Sequence, residues 1–481
     1  MDVDLDPDVE AILTTFNNLK SRPSRRAAYL GLLNQLSPNE WRDLKDATNE
    51  RPFHCDVLTS LPLEIAGQIT KYLDLSEIFL LQRVSKQWQK LLSSHYVRDL
   101  TLRRRTGCGL SPTESESAFK KSVERRLRIE RGKPLRVTTH DISEYEQDYD
   151  RTGAIKMDYS HGRCALIKHR ATVAIFCLRA EKVVKRFDTE NREPINDIRI
   201  SDSMVAIVTS RARCYTWNIH TEESYEPFRL ASLNYDLFII KGQKVAFNFP
   251  ESTGSYVIQW CPPSRTTRTV HLPPELVFWC LHPTTDDLTS VHFCRKDGGE
   301  IDDWNPCSEV QLRIITFSPS GNNELYPKSS KDMDIPVPNN DHASWMAHNE
   351  TSSVLPFHRF GCIELDSEKD DLLYLMVSYD SETDQLFLHK HETDFHLTMS
   401  FIIPKVVYYG FRENHAYQHN IIRISTPDGD HPFPEESTIV LPASEEYVFW
   451  GDEQYFVVIN ISGLAVWYFD ETALPDAAPD E

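Results

Sequence analysis

The sequence predicts an α + β multidomain protein: an all-α N-terminal region to about residue 136, then an all-β domain whose repeated units form the blades of a propeller. Three observations predict it. Apolar residues recur at three- and four-residue spacing as far as Leu127, and from about residue 137 short β-branched and aromatic runs between turns replace them. The β pattern restarts about every forty residues in its first three copies, the spacing of four-stranded blades. Charge divides the chain at the same place. Of the 52 Lys and Arg and 72 Asp and Glu, 23 and 18 fall in residues 1–136, a net of +5, and the remaining 29 and 54 give residues 137–481 a net of −25.

Residues 1–54 read as helices. Val9, Ile12, Leu13, Phe16 and Leu19 share one face, with Asp6 as the cap and Pro7 in the first turn. A second helix starts near Ser24, and Ser37-Pro38-Asn39-Glu40 is a capping box leading into Trp41 and Leu44. These helices are expected to pack on the small module that follows and help it fold.

That module, residues 55–97, is three short amphipathic helices in a row. The first opens at Ser60-Leu61-Pro62, where proline suits an early position because its missing donor is not needed there. Ile65, Ile69, Tyr72 and Leu73 follow at helical spacing. Asp74 or Ser76 caps a second helix carrying Ile78, Leu81 and Val84, and Ser85 caps a third with Trp88, Leu91 and Leu92. A unit this small cannot bury all of these side chains against itself, so it needs a partner.

The blocks Leu61-Pro62-Leu63-Glu64-Ile65, Tyr72-Leu73-Asp74-Leu75 and Val84-Ser85-Lys86-Gln87-Trp88 with Leu91 resemble the F-box family. The resemblance covers about a tenth of the chain. It implies docking on the Skp-type adaptor of an SCF-type cullin–RING ubiquitin ligase, with the remainder of the chain selecting what is ubiquitinated. The adaptor-binding residues it implies are Leu61, Pro62, Ile65, Ile69, Leu73, Ile78, Leu81, Val84 and Trp88.

Residues 98–136 form a basic connector. Arg103-Arg104-Arg105 precedes a turn, and Phe119, Val123 and Leu127 repeat every fourth residue in a Lys- and Arg-rich helix. The basic run is expected to be the solvated face of a linker helix rather than a nuclear-localisation or nucleic-acid patch. It is similar to the linker of F-box/WD-repeat proteins, with Arg131-Gly132-Lys133 standing where that linker often ends in Trp.

Residues 137–472 are the predicted propeller, six to eight blades by length, with seven expected. Strand, turn and alternating strand recur at residues 164–178, 204–219, 244–260, 310–317, 372–390 and 455–469. Trp217-Asn218 and Trp467-Tyr468 stand where WD repeats carry Trp-Asp, which implies a divergent relative. Ser320 to Ser353, rich in Pro, Asn, Asp and Ser, reads as an inserted loop, and Leu135 to Ile142 as a strand that closes the ring against the last blade. A β-sandwich would give similar strands but has no reason to restart at a fixed period. Residues 473–481 read as an acidic disordered tail.

No catalytic residues, metal ligands or cofactor site emerge. His415 and His419 are four apart, but Ala416 stands where a zincin needs its Glu; His391 and His396 fall off one helical face. Asp286-Asp287, Asp302-Asp303 and Asp370-Asp371 are ordinary turn pairs. The acidic large domain is unsuited to phosphate backbones, which excludes nucleic acid as the expected partner. An acidic N-terminus, ten cysteines without a C-x-x-C pair and no long apolar run point to the cytosol or nucleus, with no membrane partner. The expected function is a non-catalytic substrate receptor that holds a protein target. The alternatives are a non-degradative scaffold on the adaptor and a propeller enzyme. A phosphopeptide pocket needs converging arginines, for which Arg199, Arg211, Arg213 and Arg265 are candidates.

Overall fold

The structure is a computed structural model. It describes residues 6–50, 61–70, 73, 75–106, 112–145, 156–251, 254–272, 277–282, 285–295, 310–321, 324–335, 343–344, 357–366, 372–380, 385–393, 397–403, 406–412, 419–426, 429–432, 441–442, 448–459 and 463–475. Two compact units divide the chain, Met1–Ser117 and Ala118–Glu481.

In the first unit, the three leading helices are α1 (Pro7–Asn17), α2 (Arg22–Leu33) and α3 (Pro38–Glu50). Their starts obey local chemistry. The Asp6 carboxylate accepts from Asp8 N, Ser21 Oγ accepts from Ser24 N, and Ser37 N donates to Glu40 Oε2 at 2.7 Å. Their apolar faces do not behave as expected. No residue of α1 is buried, and Val9, Ile12, Leu13, Tyr29, Leu30, Leu32 and Trp41 are exposed. The caps come from residues two or three apart, whereas burial needs a partner surface that sequence does not specify.

The compact part of this unit is α4 (Leu63–Thr70), α5 (Leu75–Leu81), α6 (Lys86–Leu92) and α7 (His95–Thr106). Ser85 Oγ accepts from Trp88 N at 3.1 Å and starts α6. Ala66, Leu75, Ile78, Leu92, Val97 and Leu102 form its buried interior. Gly67 lets α4 approach α7, since a Cβ there would lie 2.6 Å from Tyr96 Cε1 and 3.3 Å from Leu100 Cδ2. Gly67→Leu is therefore expected to destabilise the helical unit by about 1–3 kcal/mol despite leucine's better helix propensity. A thermal melt followed by circular dichroism checks it, and an unchanged helical transition would contradict the close approach.

Helix α8 (Pro112–Glu130) follows. In the second unit its turns from residue 118 onward bury Phe119, Val123 and Ile129. Arg125 bridges Glu453 at 2.8 Å and Asp470 at 2.5 Å, and Arg128 donates to Phe469 O. These arginines of the basic run hold the helix to the β domain.

The β domain contains seven antiparallel sheets among the described residues, six with four strands and one with an additional short strand. In chain order they span residues 158–188, 195–229, 237–272, 277–335, 343–393, 397–442 and 448–468, and are called sheets 1 to 7. The last sheet takes its fourth strand from the start of the domain. Arg136–His140 pairs with Leu464–Tyr468 in the register Arg136↔Tyr468 to His140↔Leu464. The closing strand predicted over Leu135 to Ile142 thus lies where the sequence placed it.

Among the described residues, apolar side chains fill the spaces between sheets 7 and 1, 1 and 2, 2 and 3, and 3 and 4. Tyr159, Leu166 and Phe176 of sheet 1 pack with Trp450, Val457 and Tyr468 of sheet 7. Val173 and Phe187 of sheet 1 meet Ile207 and Trp217 of sheet 2. The same layering joins sheet 2 to 3 through Val208 and Phe247, and sheet 3 to 4 through Val257 and Leu288. Face-to-face sheets with one chain end borrowed for closure define a propeller. Trp217 and Trp467 are core aromatics of this arrangement.

The expected insertion over Ser320 to Ser353 needs correction. Leu325–Ile335 is the outer strand of sheet 4, paired along Val310–Pro319 with a bulge at Thr316/Phe317, and Ala343–Ser344 begins sheet 5. An outer strand has one neighbour, so it tolerates Pro327, Lys328, Ser329 and Ser330, the residues that made it look like a loop. Residues 322–323, 336–342 and 345–353, together with Tyr72, Asp74 and the terminal residues 476–481, lie outside the described residues.

Candidate functional site

The helical module presents apolar side chains to solvent. Ile65 and Ile69, one turn apart on α4, are 46% and 38% exposed. Val84, just past α5, is 61% exposed, Pro62 is exposed, and Leu61, Leu73, Leu81 and Trp88 are half-buried. Ile78 differs: it is fully buried and holds α5 to its neighbours, so its place among the docking residues is corrected to the module's core. Leu80, which the sequence reading passed over, is 49% exposed. Ile78-Phe79-Leu80-Leu81 is an unbroken apolar run on a seven-residue helix, and such a run has no period from which to choose the outward residue. Four consecutive residues on a helix point around most of its circumference, so at least one had to face out.

Within the β domain the polar candidates resolve into seams and one cluster. Asp158 Oδ2 accepts from Ile200 N at 2.7 Å, tying sheet 1 to sheet 2. Tyr159 donates to Asp452 Oδ2 at 2.8 Å, tying sheet 1 to sheet 7, while Asp452 Oδ1 accepts from Gln454 N and Tyr455 N. Arg199 donates from Nε to Phe238 O at 3.0 Å and from Nη1 to Asp197. Burial raises the Asp158 and Asp452 carboxyls, and Asp158 is pushed up to about 7 with the nearby Arg199 guanidinium opposing the shift. Perturbed carboxyls often mark active sites. Here backbone N–H groups and the Tyr159 hydroxyl donate to the carboxyl oxygens, and the groups pin adjacent sheets.

A pH effect follows for Asp158. Its folded value lies above the usual 3.8, so the native state keeps a proton that the unfolded chain releases. This contribution to stability is fully present below about pH 4 and is lost as pH rises through about 7. Asp158→Asn keeps an acceptor for Ile200 N and removes the ionisable group. It is expected to raise the melting temperature more at about pH 8 than at about pH 5. An equal change at both would show that Asp158 is ionised throughout.

The arginine candidates separate by position. Arg199 belongs to a seam, and Arg265 pairs with Glu226 at 3.0 Å. Arg211 and Arg213 converge: their Nη1 atoms lie 3.5 and 3.3 Å from the same oxygen, Glu193 Oε1. Of the histidine pairs, His391 and His419 lie on strands, while His396 and His415 are outside the described residues, as are the 302–303 and 370–371 acids. Asp286 pairs with Arg268, and Asp287 accepts from Ser318 Oγ. Among the described residues no helix is long and apolar enough to cross a membrane.

Residues 58–100 match the F-box-like family model. No curated protein matches the chain. Among solved structures it is similar to the β-propeller domain of the Trilobed protease from Pyrococcus furiosus, at 11% identity over 65% of this chain and 94% of that one, with a TM-score of 0.40. It is also similar to the Cps50 (Swd1) β-propeller domain of Myceliophteria thermophila, at 11% identity over 69% of this chain and 99% of that one, with a TM-score of 0.39. The chain is an F-box-like domain followed by a β-propeller, the first defined by the family match and the second by its own strand pairing and core. That pairing of modules supports an adaptor or interaction role.

Proposed function

We propose that this protein is the substrate-receptor subunit of an SCF-type ubiquitin ligase: residues 55–97 dock on the Skp-type adaptor, and the propeller over residues 137–472 holds a protein target. The observation that carries the proposal is the exposed set Pro62, Ile65, Ile69 and Val84 inside the segment that matches the F-box-like model. Solvent-facing aliphatic side chains on a folded module are stabilised by covering them, and the F-box-like match supports a Skp-type adaptor as that cover. The propeller performs no chemistry in this reading. It raises the concentration of its target near the ubiquitin-charged enzyme. The site of action is the cytosol or the nucleus.

Turnover of the propeller's partners tests the proposal against a scaffold role. Proteins captured by the full chain are expected to gain half-life when the protein is deleted and to lose ubiquitin conjugates. Captured partners whose half-lives stay the same would leave the chain as a scaffold on the adaptor.

A further inference from the structure

On the reading that Pro62, Ile65, Ile69 and Val84 take the adaptor, on which the following proposal rests, the free protein carries an apolar face without its cover. The same compact unit holds a second uncovered apolar surface. No residue of α1 is buried, and Val9, Ile12 and Leu13 form one exposed stripe, with Ile12 at 56%. The Arg25 guanidinium of α2 closes the far end of that stripe, 4.5 Å from the centre of the Phe16 ring. An isolated helix of 11 residues is marginal in water, so α1 gains from a surface to pack on.

Charge separates the three leading helices as occupants of the docking face. Residues 6–19 carry Asp6, Asp8 and Glu10 and no Lys, Arg or His. At 3.6 residues per turn, Asp8 and Glu10 fall to either side of Val9 and border the stripe. The docking face is bordered by the opposite sign. Residues 78–97 hold Arg83, Lys86 and Lys90 and no Asp or Glu, and these three bases are exposed around Val84. Helix α2 carries Arg22, Arg25 and Arg26 and no acid, so it has the same sign as the docking face. In α3, among the described residues, Trp41 is the single exposed large apolar side chain.

We propose that α1 docks over Ile65, Ile69 and Val84 of its own chain, with Asp8 and Glu10 set against Arg83, Lys86 and Lys90, so that an adaptor must displace it. The arrangement described above is then the uncovered, binding-competent state. Opposite charges around two apolar stripes fix the orientation of α1 and disfavour α2 in its place. Ten residues of sequence separate Glu50 from Leu61, which limits the distance between these ends to about 40 Å. Linkage on one chain sets an effective concentration of about 1 mM. A contact with a dissociation constant of about 0.3 mM then populates the covered state about three to one and weakens adaptor binding about fourfold. Between adaptor encounters the cover keeps an apolar face from associating at random.

Calorimetry with the purified Skp-type adaptor compares the full chain with two variants, Ile12→Gln with Leu13→Gln and Asp8→Asn with Glu10→Gln. Each is expected to bind the adaptor about fourfold tighter than the native chain, with the difference shrinking at about 1 M salt. Leu30→Gln with Leu32→Gln on α2 is the control and is expected to change nothing. Circular dichroism reports that each variant keeps its helices. Amide hydrogen exchange over residues 63–70 of the free chain reads the contact without an adaptor, and is expected to be about fourfold faster in the Ile12→Gln, Leu13→Gln chain. Unchanged affinity and exchange, weaker adaptor binding by the α1 variants, or an equal effect in the control would overturn the proposal. So would a native chain that sediments as a dimer beside a monomeric Ile12→Gln, Leu13→Gln chain, which would give the stripe to a second copy. Faster exchange in a chain that binds no adaptor would uphold the α1 contact and overturn the ligase reading instead.

Discussion

Replacing Ile65, Ile69 and Val84 together by alanine is expected to weaken binding to the Skp-type adaptor by about a hundredfold while leaving both units folded. Fully burying an aliphatic side chain of this size contributes about 1.5–3 kcal/mol. The free chain already covers part of each, since they are 46%, 38% and 61% exposed, so docking gains only the remainder. About 1 kcal/mol from each gives about 3 kcal/mol, or roughly two orders of magnitude in affinity. The same exposure keeps the cost to the fold below that of a core truncation, and a thermal melt of the variant checks that the module stays folded. Ile78→Ala is the contrasting case. That side chain is fully buried, so its truncation acts on the module's stability, and its effect on binding follows from unfolding. Calorimetry on the purified chain separates the two, and equal adaptor affinity for the native and triple-alanine chains would contradict the docking face.

Trp467→Ala is expected to destabilise the β domain by about 3–5 kcal/mol, a third or more of the stability of a typical domain. Trp467 is fully buried on the strand between Tyr455–Ile459 and Arg136–His140, opposite both Phe456 and Val137, with the Phe456 ring 5.1 Å away. It therefore packs at the sheet that joins the two ends of the domain. A defect there loosens the closing strand as well as the local core, and sheet 1 shares its packing with sheet 7 through Tyr159 and Asp452. The whole β transition is expected to shift to lower temperature. Val184→Ala, at an exposed position on the outer strand of sheet 1, is expected to cost less than about 0.5 kcal/mol. A Trp467→Ala domain that melts like the native one would show that the ring holds without its closing sheet.

The parts legible in the sequence were those decided by neighbours along the chain. Capping residues at Asp6, Ser37 and Ser85 act within three residues, and the Leu61-Pro62 and Trp88 blocks are short enough to be recognised directly. The propeller was legible because its strands repeat, and the closing strand because β runs begin immediately after the helices. Choices made by tertiary packing were not legible. Ile78 and Leu80 differ by two positions in one apolar run, yet one is buried and the other exposed. The strand Leu325–Ile335 looked like a loop because an outer position accepts polar residues on both faces. Arg199, Arg211, Arg213 and Arg265 were equal candidates in the sequence, and nothing local linked Arg211 and Arg213 to Glu193, which reaches them only through the connector between two sheets.

The most direct test of the ligase reading is affinity capture from a eukaryotic lysate, with the intact chain compared against the Ile65→Ala, Ile69→Ala, Val84→Ala chain. The intact chain is expected to retain a Skp-type adaptor and its cullin, and the variant to lose both while keeping the partners held by the propeller. Loss of every partner by the variant would mean that the substitutions unfold the protein. Failure of the intact chain to retain the adaptor, or equal retention by both, would contradict docking through this face.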